Sequence, residues 1–156
     1  MASIFDKVKL SPAQLRSAAG RRFDDTDALR KTGENARANG VFYLGGFVIE
    51  CLLKARLLER FPSMQAAKSS DGMSPQDREI FNLIYRWHDL DDMLPHLPDV
   101  ESAMLRADQR EGTQRLKRLK EICARWNIFA RYFPRSEKMH AAVVFLDHVK
   151  EIRPWL

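Results

Sequence analysis

Three groups of residues in this 156-residue chain have the types and spacing to do chemistry. The first is Glu50 with Lys54, set four residues apart in an otherwise apolar run, Tyr43-Leu44-Gly45-Gly46-Phe47-Val48-Ile49-Glu50-Cys51-Leu52-Leu53-Lys54-Ala55. In that order an i, i+4 pair stabilises a helix as an intrahelical ion pair. In a groove or at a subunit seam the same groups become a polar contact that burial obliges to be fully hydrogen-bonded. The second group is His88, Asp89, Asp91, Asp92 and His96, side chains that can ligate a cation. Their spacing follows no fixed ligand pattern, and aspartates at the starts of short helices are explained by the helix dipole, so no metal is expected. The third is Arg115, Lys117, Arg118, Lys120 and Arg125, which can follow a phosphate backbone. No aromatic residue alternates with them, so base stacking on that face is not expected.

Elements must position these groups, and the pattern is helical throughout. Ser11 caps a first helix with Pro12 at its first position and Gln14 completing a capping box; it ends near Thr32-Gly33. A second helix covers about 34 to 61, with Leu44, Phe47, Val48, Cys51, Leu52, Ala55 and Leu58 as a broad core stripe. Within it each of Gly45 and Gly46 costs about 1 kcal/mol relative to alanine. Close approach of another backbone would offset that cost, so the pair predicts a packing notch where helices of one or two subunits cross. Ser74-Pro75 restarts a short helix that ends near His88; two more short pieces follow, over about 89 to 96 and 100 to 107. A basic helix covers about 113 to 129 with Leu116, Leu119, Cys123, Trp126 and Ala130 inward, and a last helix covers about 136 to 153. No strand or hairpin pattern is present. The expectation is an all-α, up-and-down bundle of four to five helices in a single domain spanning 1–156.

Composition bounds the function. A hydrophobic fraction of 45% and a charged fraction of 30% describe a globular chain. Cys51 and Cys123 both fall in apolar helix patterns and read as buried thiols of a reducing compartment. Neither a secretory leader nor a membrane-spanning run is visible, so a cytoplasmic protein with no membrane association is expected. The net charge of +5 conceals a polarity: residues 71 to 108 carry nine acids and three arginines, and residues 110 to 135 carry eight bases and two acids. Either these faces attract each other across the fold, or the basic one meets a polyanion. Helix-turn-helix and zinc-finger motifs are absent, and no cofactor is expected.

The run from Tyr43 to Ala55 resembles one branch of the HEPN superfamily, whose second helix carries a tyrosine–leucine–small–glycine–aromatic run, then glutamate, then leucine-lysine-alanine. Ala19, Arg22 and Asp27 on the first helix, His88-Asp89-Leu90 with Met93-Leu94, and Trp126 followed by Arg131-Tyr132 agree with that branch in the same order. Together these marks extend over about residues 15 to 155. The resemblance implies a helical bundle that is usually a homodimer and binds or cleaves RNA, or binds a nucleotide. It also implies toxin–antitoxin systems in which such a domain partners a small nucleotidyltransferase.

Active members of that superfamily carry an arginine, four to six intervening residues and a histidine, with the two copies meeting across the dimer. Arg135 to His140 fits the spacing, while Arg131 is the arginine whose position aligns best with the family's. Metal-independent RNA cleavage needs proton transfer near neutrality, which histidine supplies, and a bidentate cation for phosphate, which arginine supplies. A helix N-terminus adds N–H groups toward the anion. Five residues along a helix turn about 500°, leaving the two ends some 140° apart, so a shared site needs Arg135 at a frayed end or a second subunit. The expected catalytic residues are therefore Arg135, His140 and Arg131, and the expected nucleic-acid- or nucleotide-binding residues are Arg131, Tyr132, Arg125 and Lys120. Gly45, Gly46, Glu50 and Lys54 form the expected seam. A second expectation, from a different class, is a non-catalytic dimeric module that binds a partner protein such as a nucleotidyltransferase.

Overall fold

The computed structural model describes residues 10–134 and 137–156, with only the backbone at Arg131. The all-α expectation holds: among the described residues there are helices and turns and no strand. The helices are α1 (Pro12–Lys31), α2 (Ala38–Arg60), α3 (Pro75–Tyr85), α4 (Leu90–Met93), α5 (Pro98–Ala107), α6 (Gln109–Arg125) and α7 (Met139–Ile152). Among the described residues, seven α-helices replace the four to five expected. Prolines at 75, 95 and 98 divide the middle of the chain into short pieces that each start afresh.

Local chemistry explains the boundaries. The Ser11 hydroxyl accepts from the Gln14 amide at 3.3 Å and that of Ser74 from the Asp77 amide at 3.1 Å. The Asp108 carboxylate accepts from the Glu111 amide at 2.9 Å, starting α6 four residues ahead of the expected Thr113. Helix α7 begins at Met139 instead of Ser136, and its cap comes from elsewhere in the chain: Asn35 Oδ1 accepts from the Met139 amide at 2.8 Å.

Helices α1 and α2 form an antiparallel hairpin. Arg16 reaches Glu59 at 2.8 Å near one end, and Leu29 lies over Gly40 near the other. Gly33, with φ of 71°, makes the turn between them. Helix α2 is the axis of the molecule. It touches α1, α3, α4, α7 and the 3-10 turn Ile128–Tyr132, and buries Val41, Val48, Ile49, Leu52, Leu53, Leu57 and Leu58 among them. Each fully buried side chain of this kind contributes about 1.5–3 kcal/mol.

The glycine notch is real, but its occupants differ from those expected. A Cβ on Gly45 would come within 2.6 Å of Phe145 Cε1, and one on Gly46 would overlap the Trp126 indole. Two aromatic side chains of the same chain fill the notch, one from α7 and one from the residue that ends α6. The Trp126 indole N–H donates to the Tyr43 carbonyl at 3.2 Å, which locks the ring in place. No helix among the described residues is long and apolar enough to cross a membrane.

Candidate functional site

A trough of about 700 Å³ runs between α6 and α7, with the first turns of α2 beneath it. Arg118, Glu121, Ile122 and Arg125 line one wall, and Ala141, Val144, Phe145 and His148 line the other. Both sets step at i, i+3, i+4 and i+7, so each helix turns one complete stripe toward the gap. Phe42, Trp126 and Phe145 supply the aromatic lining; Phe42 and Phe145 meet at 5.0 Å between centroids. One end is bridged by the Arg118–Glu151 ion pair. At the other end Asn39 donates to the Phe133 carbonyl at 3.4 Å and accepts from the Glu137 amide at 3.0 Å. One side chain thus holds the backbone on both sides of residues 135 and 136. Beside the trough the turn Ile128–Tyr132 and the residue after it expose three rings: Phe129 and Tyr132 are 67% accessible and Phe133 61%.

Of the expected nucleic-acid-binding residues, Arg125 and Tyr132 lie at or beside the trough and Lys120 lies apart from it. Arg125 lies on the lip of the trough, exposed and without an ion pair among the described residues. Lys120 faces α5, where it meets Glu101 at 3.3 Å. Tyr132 projects from the exposed turn, and Arg131 belongs to the same turn by its backbone. His140 is exposed on the first turn of α7, one residue before the trough-lining Ala141. Arg135 lies outside the described residues, and with it the Arg135–His140 pairing.

Much of the basic charge of α6 is met within the fold. Arg115 pairs with Glu111 at 2.5 Å, Arg118 with Glu151, and Lys120 with Glu101. Of these pairs, Lys120–Glu101 joins the opposed charges of residues 71–108 and 110–135, across α5 and α6.

Glu50 and Lys54 are both buried. Lys54 Nζ lies 2.8 Å from Glu50 Oε1, and His88 Nδ1 reaches the same oxygen at 2.8 Å. The carboxylate is acceptor-only when ionised, so His88 donates to it through Nδ1–H. Glu50 Oε2 is buried with no hydrogen-bond partner among the described residues. The expected i, i+4 pair is thus an intrachain buried pair that also ties the α3–α4 connection to α2. Sequence reasoning missed the third member because nothing in the spacing of residues 50 and 88 marks their contact.

The acidic and histidine cluster is drawn apart. His88 goes to Glu50, His96 Nε2 faces Glu79 at 3.5 Å, and Asp89, Asp91 and Asp92 are exposed. No group of three or more candidate ligands converges among the described residues. Burial raises the thiol of Cys51 to about 11, with the Glu50 charge adding to the effect. Burial likewise raises Cys123 to about 12. Both thiols are free and buried, and neither is poised as a nucleophile.

Sequence reasoning also missed Phe42, Val144, Phe145 and His148. The available signal was the surplus apolar stripe on α7: Ala142, Leu146 and Val149 face the core, yet Ala141, Val144 and Phe145 are apolar as well. No family model, curated protein or solved structure matches the chain.

Proposed function

We propose that this chain is a HEPN-like helical domain that binds RNA or a nucleotide and acts as a homodimer. The observation that supports this reading is the trough. It sets Arg125 on the lip of an aromatic-lined cleft, beside the exposed rings at Phe129, Tyr132 and Phe133. Rings offer stacking surface for a base, and a guanidinium without an ion pair among the described residues offers a fork for a phosphate or a base edge. In the catalytic form of the proposal, Arg135 and His140 from two copies perform metal-independent cleavage of RNA, the histidine moving the proton and the arginine holding the phosphate. The test incubates purified protein with mixed RNA beside His140→Ala and Arg135→Ala, and measures RNA retention in parallel. Cleavage lost in both variants supports the ribonuclease. Cleavage unchanged in both ends that assignment, and absence of both cleavage and retention ends the RNA reading.

The second reading is a non-catalytic module that binds a partner protein such as a nucleotidyltransferase. It is favoured by the exposed rings at Phe129, Tyr132 and Phe133, whose chemistry suits a protein partner as well. It is also favoured by the ion pairs that occupy Arg115, Arg118 and Lys120. A Phe129→Ser, Phe133→Ser double variant that loses a co-purifying nucleotidyltransferase while retaining RNA would support it.

A further inference from the structure

We infer that the α6–α7 trough binds one flat, uncharged heteroaromatic ring of nucleobase kind, recognised by its faces and edge and not by a phosphate. The inference deepens the nucleotide-binding reading and rests on it only for the source of the ring.

The size comes first. A volume of about 700 Å³ falls in the range of small-molecule sites, roughly 300–1,000 Å³. It is small for a duplex or a tracked strand. The lining comes second. Phe42, Trp126 and Phe145 meet Ala141 and Val144 in one apolar trough, and an apolar, ring-lined cleft favours a flat aromatic guest over a hydrated one.

The lip decides the charge. Its cations among the described side chains are Arg118, already paired with Glu151, and Arg125. Against Arg125 stand Glu121 and Glu137, which also line the trough and have no ion pair among the described residues. Among the described side chains, a phosphate would gain one guanidinium and meet two carboxylates. An uncharged heterocycle has no such conflict: its N–H groups donate to a carboxylate while its carbonyl or ring nitrogen accepts from Arg125. The amide of Asn127 and the imidazole of His148 add one more mixed pair of donors and acceptors. An aliphatic ligand would fill the floor and leave these groups unsatisfied.

The experiment titrates the whole chain with guanosine, cytidine and their 5′-monophosphates, at low and high salt. It reads heat and the indole N–H resonance of Trp126, which lies in the lining. Saturable one-to-one binding of at least one nucleoside is expected. Its monophosphate should bind no tighter, and affinity should vary little with salt, unlike phosphate recognition. Naphthalene, a ring without edge groups, should bind at least about tenfold more weakly, and Arg125→Gln and Glu137→Gln should each cost about tenfold. Val144 is half exposed, so Val144→Trp should fill the trough and abolish binding with an unchanged circular dichroism melt.

Affinity that rises with the phosphate and falls steeply with salt would overturn the inference, as would equal binding of naphthalene. Retained RNA binding with no nucleoside bound overturns the ring pocket and leaves the RNA reading standing. Failure to bind either overturns both.

Discussion

The two halves of α2 are finished differently. Along its second half the residues are closed off: Val48, Ile49, Leu53 and Leu57 are fully buried, and the charges of Glu50 and Lys54 are sealed against each other and His88. Toward α7 and the end of α6, Gly45 and Gly46 receive Phe145 and Trp126, and above those rings the packing stops at an open trough. One helix thus supports a closed face that sets stability and a half-closed face that leaves apolar surface for a ligand. Burial of charge belongs to the first and exposure of aromatic rings to the second. Stability and recognition should therefore separate under mutation.

The sharpest way to break that separation is at Glu50. Glu50→Ala leaves Lys54 and the His88 N–H without their acceptor in a buried site, and such a loss costs about 3–5 kcal/mol. Urea unfolding should show a midpoint far below wild type. A change under about 1 kcal/mol would mean that the closed face is not closed. Next comes Gly46→Ala, where the added methyl overlaps the Trp126 indole. Overpacking of that kind costs about 1–3 kcal/mol. Because Trp126 also lines the trough, this variant should perturb both faces at once, visible as a shifted Trp126 indole resonance. On the open face, Val144→Ser should change stability by no more than about 0.5 kcal/mol, while removing apolar surface from the trough. A large destabilisation there would show that Val144 belongs to the core.

How far these two faces could be read from the sequence follows the same division. The closed face was legible. Apolar stripes at 3.6-residue spacing gave α1, α2 and the inward residues Leu116, Leu119, Cys123, Leu146 and Val149, because burial acts on periodicity that a single segment displays. Caps within one segment were legible in principle. Asp108-Gln109-Arg110-Glu111 carries the same capping logic as Ser11 and marks the start of α6 at Gln109. Contacts between distant segments were not legible. The Asn35 cap on α7, the Asn39 hold on Phe133 and Glu137, and the Glu50–His88 bond join residues 38 to 104 positions apart. The trough itself depends on the angle between α6 and α7, which no pattern within either helix records. The glycine pair marks a notch but not the rings that fill it, because a missing Cβ reveals the space and not its occupant.

The smallest expected effect lies at the solvent edge of the closed face. Asp27 pairs with Arg30 at 2.6 Å and with Lys31 at 2.7 Å, one helical turn away on α1. Hydrogen bonds from Lys31 and then Arg30 hold its carboxyl below the ordinary value of 3.8. A carboxylate with a depressed folded-state pKa stabilises the fold fully above the unfolded value, and that contribution is lost as pH falls through the folded value. Wild type and Asp27→Asn should therefore differ by a constant, small amount, within about 1 kcal/mol for such a surface pair, from neutrality down to about pH 5. The gap should close below pH 4, as the wild-type carboxylate takes up its proton. High salt should shrink the gap at neutral pH, since exposed charges are screened where the buried Glu50 pair is not. A gap that ignored salt, or widened in acid, would place Asp27 with the closed face and remove the distinction between its interior and its edge.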